Sequence, residues 1–208
     1  MKIKILYDNK ALPGFKPGWG FSALLCLGLK SVLFDTGSDA GRLDFNARML
    51  GVDKSDIRVC FISHKHADHT GGLGWLQSGT KIFFPGEYDG SLAEIDTLFF
   101  SRPIKEQALI YKPQRIMFVG CSHPGIILMA REAFERYGKL ELIVGGMHLF
   151  GITDYKIESI AKELKKFTKR IAPCHCTGDE GRKIFRDVFG ERFVEAKAGS
   201  VIVLNFLG

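Results

Sequence analysis

The sequence contains no apolar run near the roughly 18–20 residues that a membrane-spanning helix needs, so no such span is expected. No secretory leader is expected either. The start, Met1-Lys2-Ile3-Lys4-Ile5-Leu6, turns polar at Tyr7-Asp8-Asn9, too early for an apolar signal segment. A cytoplasmic protein is therefore expected. The five cysteines are an odd number, which in that setting argues against a disulfide framework. Cys26 and Cys60 fall in apolar runs and are expected in the core. Asn and Gln are scarce beside plentiful Lys, Glu and Ile, the bias of a thermophilic source. Charge of one sign is not concentrated: 29 basic against 23 acidic residues leave +6, and the lysines are spread along the chain. That balance reads as a solvated basic surface with a mild preference for an anionic small-molecule substrate. A nucleic-acid partner is not expected.

At 208 residues the chain suits a single domain spanning 1–208. Residues 2–7 alternate Lys with apolar side chains, as a half-buried strand does. A loop punctuated by Pro13, Gly14, Pro17, Gly18 and Gly20 follows and carries Trp19. Residues 22–34 read as two strands around Gly28-Leu29-Lys30-Ser31, the second ending in Asp35-Thr36-Gly37-Ser38. Ser38 or Asp39 can cap a helix with Leu43, Ala47 and Leu50 on one face. Ile57–Ile62 reads as a buried strand, and Lys81–Phe84 as another. Residues 85–106 are irregular, with Leu98-Phe99-Phe100 a candidate short strand or pocket lining. Glu106–Tyr111 and Arg115–Val119 read as a hairpin. Pro124 suits a first helical turn, with Ile126, Ile127, Ala130 and Phe134 on one face. Then come a strand over Leu140–Val144, an amphipathic helix capped by Thr153, a short strand ending at Pro173, a helix capped by Asp179 and closed by Gly190, and a last strand over Ser200–Phe206. By pattern alone this is an α/β or mixed α+β fold.

All six histidines, His64, His66, His69, His123, His148 and His175, stand in Gly- or Pro-punctuated segments at the ends of apolar runs. Histidine spent only there points to one site. The densest stretch is Ser63-His64-Lys65-His66-Ala67-Asp68-His69-Thr70-Gly71-Gly72. His64, His66, Asp68 and His69 offer imidazole and carboxylate, the ligands of a borderline divalent ion. No helix or strand puts positions i, i+2, i+4 and i+5 on one face, whereas a loop coiled around a metal pair does. Packing gives no reason for four such residues at this spacing. Cys174 and Cys176 flank His175, and neighbours in an extended segment point away from it, so both are expected to pack rather than ligate.

The complete His-x-His-x-Asp-His-Thr-Gly-Gly motif resembles the metallo-β-lactamase superfamily, and the resemblance runs along nearly the whole chain. It implies a four-layer αββα sandwich with two divalent ions per chain, zinc or alternatively manganese or iron. It places His64, His66 and His123 on one ion and Asp68, His69 and His175 on the other. His148 is a ligand, or else a group that supports the ligands or faces the substrate. Asp35 orients the ligand loop from behind it, and Trp19 is a candidate lid residue. The superfamily's usual bridging Asp has no match here; His148 or Cys121 stands near its place. Gly-Cys-Ser-His-Pro-Gly, Gly-Gly-Met-His-Leu and Cys-His-Cys-Thr-Gly resemble the subgroup that includes archaeal dihydropterin ribofuranosylaminobenzene phosphate synthases. The implied activity is hydrolysis of a phosphoester or other anionic compound, with Asp68 both ligand and proton acceptor. The rivals are a pterin-pathway transferase acting on a phosphoribosyl substrate, a di-iron redox protein and a non-catalytic metal binder. The redox reading fits poorly, because related oxygen-reducing proteins carry a Glu where His66 stands and a flavin partner domain.

Overall fold

The computed structural model describes residues 1–28 and 30–204. The chain forms two compact units: Met1–Phe84 with the chain from Ala196 on, and Pro85–Glu195.

In the first unit, β1 (Lys2–Tyr7), β2 (Ser22–Leu27) and β3 (Lys30–Phe34) run antiparallel in turn. The alternating Lys/Ile pattern of β1 turns Ile3 and Ile5 fully inward. After α1 (Ala40–Met49), β4 (Ile57–Phe61) pairs parallel to β3. A one-turn helix, α2 (Ala67–Thr70), precedes β5 (Lys81–Phe83), which is parallel to β4. Asp39 caps α1 by accepting from the Arg42 N–H at 2.7 Å. Leu43 and Ala47 bury its inner face against Leu6, Leu33 and Ile62.

In the second unit, β6 (Ile95–Phe100), β7 (Glu106–Tyr111) and β8 (Ile116–Val119) form an antiparallel run. The illegible stretch 85–106 therefore holds a full strand, with Leu98 buried and Phe99 largely exposed. After α3 (Ile126–Tyr137), β9 (Leu140–Gly146) pairs parallel to β8. After α4 (Asp154–Leu164), β10 (Thr168–Cys174) pairs parallel to β9. Then comes α5 (Gly178–Phe189). Pro124 lies before α3, whose buried face is Ile126, Met129, Ala130 and Ala133, while Phe134 is partly exposed. Thr153 precedes α4 but its side chain makes no capping bond, and Asp179 lies inside α5. The chain returns to the first unit through β11 (Val201–Val203), antiparallel to β1. Of the expected closing strand, Asn205 and Phe206 lie outside the described residues, as does Leu29 of the β2–β3 turn.

The strand orders are β11-β1-β2-β3-β4-β5 and β10-β9-β8-β7-β6. Two sheets with helices make a mixed α+β fold. Each sheet is antiparallel on one side and parallel on the other. Asp35 follows β3, residues 63–69 follow β4, His123 follows β8, His148 follows β9 and His175 follows β10. All stand at the carboxyl ends of parallel-paired strands, where open α/β sheets hold ligands. Among the described residues, no helix is long and apolar enough to cross a membrane.

The Thr-Gly-Gly after the ligand cluster has a steric cause. A Cβ on Gly71 would stand 2.3 Å from the Ser38 carbonyl oxygen, and one on Gly72 2.1 Å from that of Thr36. Both glycines let the ligand segment lie against the strand-end loop of β3. Gly72→Ala should therefore cost about 1–3 kcal/mol through overpacking, read by urea unfolding. Gly74→Ala, with nothing within 4 Å of the added Cβ, is the control and should stay close to the parent. Equal stability of the two variants would contradict this role.

Candidate metal centre

The ligand segment of the first unit is wound rather than extended. His66 precedes α2, and α2 itself carries Asp68 and His69. This helical turn lies before Gly71-Gly72, and a 3₁₀ turn over Leu73–Trp75 follows them. The His64 ring centroid lies 4.6 Å from that of His66 and 4.1 Å from that of His69. His64 Nε2 and His66 Nδ1 approach to 3.1 Å, and Asp68 Oδ2 lies 3.7 Å from His69 Nε2.

Asp35 sits beneath this cluster, fully buried. It accepts from the Ser63 N–H at 2.6 Å, from the Ser63 hydroxyl at 2.7 Å and from His69 Nδ1 at 2.7 Å. A carboxylate on Nδ1 fixes the tautomer and leaves the Nε2 lone pair for a metal. Trp19, half exposed, precedes Gly20. A Cβ on Gly20 would meet the Asp68 carbonyl oxygen at 2.3 Å, and the Phe21 N–H donates to that oxygen at 3.3 Å. The Trp19 loop is thereby tied to the backbone of Asp68.

The second unit repeats the device with Glu106. This fully buried side chain accepts from the N–H groups of Cys121 (3.1 Å), Ser122 (2.8 Å) and His123 (2.9 Å), and from His123 Nδ1 (2.9 Å). Three successive amides and an imidazole compensate the buried charge. The His123 and His148 ring centroids are 4.5 Å apart. His175 is buried at the end of β10. Residues 175–177 form a 3₁₀ turn, so the alternation expected to turn Cys176 away does not operate. The side chains of Cys121, His148 and Cys176 offer donor atoms all within 4.8 Å of one another.

Asp35, Ser122, His148 and His175 all have φ between 47° and 63°. Among the described residues they are four of the five non-glycine residues with positive φ, the fifth being Arg115. Left-handed backbone outside glycine costs free energy and gathers at functional sites. Electrostatics single out the same segment. Burial pushes the Cys176 thiol up, but hydrogen bonds with Cys121 and His148 and the nearby His175 outweigh it and hold the thiol well below its ordinary range. The Cys176 side chain in turn raises the His148 imidazole, against the opposing effect of burial. Cys60 behaves oppositely: burial first, then the Asp35 charge, pushes its thiol well above the usual range, as an inert core residue.

Residues 17–82 match the sequence model of the metallo-β-lactamase superfamily. The fold matches the crystal structure of Tm1679, a metal-dependent hydrolase of the β-lactamase superfamily, with a TM-score of 0.83 and 26% identity over 99% of this chain and 100% of that one. The chain thus resembles the metallo-β-lactamase superfamily, in sequence over residues 17–82 and in fold over nearly its whole length. Among its relatives is the 7,8-dihydropterin-6-methyl-4-(β-D-ribofuranosyl)-aminobenzene-5′-phosphate synthase of Methanocaldococcus jannaschii, 25% identical over 83% of this chain and 84% of that protein. An uncharacterised protein of the same organism is 25% identical over 85% and 90%.

The superfamily whose sequence model matches residues 17–82 binds divalent metals, and the donor chemistry found here fits such an ion. Imidazoles and a carboxylate converge in the first unit, with His69 Nδ1 engaged by Asp35 and its Nε2 turned toward Asp68. Such donors suit zinc and equally manganese or iron. Two supporting residues escaped sequence reasoning. Glu106 looks like the first residue of an ordinary hairpin strand, and Ser63 like a turn residue. The one available signal was a charged side chain opening a strand whose other five residues are buried.

Asp35→Asn keeps the volume but sets an amide NH₂ against donors. It should lower metal affinity roughly 10- to 100-fold, as loss of a ligand-orienting partner does, and Glu106→Gln should do the same. Competition with a chromophoric chelator measures both. Unchanged affinity in either variant would show that its carboxylate does not orient a ligand.

Proposed function

We propose that the chain, acting as one domain, is a metal-dependent hydrolase of a small anionic compound, a phosphoester first, and that its histidines hold a pair of divalent ions. The observation that carries this reading is the convergence of His64, His66, Asp68 and His69 at the end of β4, with Asp35 holding Nδ1 of His69. In this reading His64, His66 and His123 hold one ion, and Asp68, His69 and His175 the other. When bound, the ions lower the pKa of water toward neutrality and offset the charge that develops on the substrate.

The protein's own groups do the rest. Asp68 is positioned to accept a proton from the attacking water, since its carboxylate is partly exposed while its backbone is held by the Trp19 loop. His148, exposed and beside His123, faces the substrate or completes an ion's shell. Trp19 covers the approach. The net charge of +6 favours an anionic substrate. A second reading, transfer onto a phosphoribosyl substrate at the same centre, is favoured by the similarity to the M. jannaschii synthase.

A panel of model phosphodiesters, lactones and thioesters tests the proposal. The parent should turn over at least one class without any pterin or phosphoribosyl partner. Asp68→Ala and His66→Ala should each lower kcat by about 10²-fold or more, the scale of a lost general base or ligand. Turnover that persists in both variants would overturn the hydrolase reading. Turnover that appears only with a phosphoribosyl co-substrate would select the transferase.

A further inference from the structure

Buried cysteines that merely pack lie among apolar neighbours, as Cys60 does in β4 beside Leu33 and Ile62. Cys121 and Cys176 are equally buried but are set on polar groups. The His148 N–H donates to Cys176 Sγ at 3.3 Å, and Cys176 Sγ lies 3.6 Å from the Cys121 carbonyl oxygen. The room for this sulfur comes from Gly146. A Cβ there would stand 2.5 Å from Cys176 Sγ and 2.5 Å from the Gly120 carbonyl oxygen, so any larger residue would displace the thiol. The surrounding turns are pinned as well. The Ser122 hydroxyl donates to the Gly146 carbonyl at 2.7 Å, Glu106 holds the Cys121 amide, and the Thr177 hydroxyl accepts from the Met147 N–H at 3.1 Å. His148 takes a left-handed φ of 52° to present its ring and its N–H here. Three donor atoms within 4.8 Å of one another, two of them sulfur, form a soft set.

We propose that Cys121 and Cys176, together with His148, are ligands of the metal centre, which is thereby selective for a thiophilic ion such as zinc or ferrous iron over magnesium or calcium. This rests on the reading of the strand ends as a metal centre and adds sulfur to its donors. On binding, each thiol gives its proton to solvent as its sulfur bonds the ion.

Cobalt(II) reads this out without reference to activity. The full chain, stripped of metal with a chelator, is reloaded under anaerobic, reducing conditions. The parent should show an intense near-ultraviolet sulfur-to-cobalt charge-transfer band, and Cys26→Ser should keep it. Cys121→Ser and Cys176→Ser should each lose about half of it and the double variant all of it, in proportion to the thiolates bound. Loading should also shield both thiols of the parent from iodoacetamide. Cobalt bound with only weak visible bands and no charge-transfer band would overturn thiolate ligation while leaving the histidine centre standing. No cobalt uptake at all would overturn both. The unaltered chain gives the deciding spectrum, so a variant that fails to fold does not blunt the test.

Discussion

Two fully buried carboxylates, Asp35 in the first unit and Glu106 in the second, each hold up the candidate ligand segments of their own unit. Burying an ionised carboxylate is costly unless donors surround it. Here the donors are the segments that carry the ligands: Ser63 and His69 for Asp35, and Cys121, Ser122 and His123 for Glu106. The charge can be satisfied only when those loops adopt one shape. Each carboxylate also claims the Nδ1 of a histidine, which turns the Nε2 outward. Fold stability and ligand presentation are thus the same set of hydrogen bonds in each unit.

The sheets supply the place for this arrangement. Parallel pairing of β3 with β4, and of β9 with β8 and β10, lines up carboxyl ends so that consecutive loops emerge side by side. Glycines then allow close approach: Gly71 and Gly72 against the β3 loop, Gly20 against Asp68, and Gly146 against Cys176. The left-handed backbone at Asp35, Ser122, His148 and His175 costs free energy that those contacts offset.

Much of the fold was legible because its signals are local. β-branched runs marked β4 and β9, Lys/Ile alternation marked β1, and Asp39 marked the start of α1. The His64–His69 cluster was legible because its donors are neighbours in sequence. What stayed hidden depends on distant partners. Glu106 is informative only once β7 lies beside the β8 loop, 15 to 17 residues further on. Cys176 looked like a packing residue because an extended segment was assumed, and the 3₁₀ turn after β10 removes that premise. β6 was obscured because Asp96 and Thr97 interrupt its apolar pattern.

The proposed function makes one claim above all: that the chain holds a pair of divalent ions. Elemental analysis of protein purified without chelators tests it directly. The account predicts close to two equivalents of a transition metal per chain. A protein that carries none, and takes up none when supplied with zinc, manganese or iron, would contradict it.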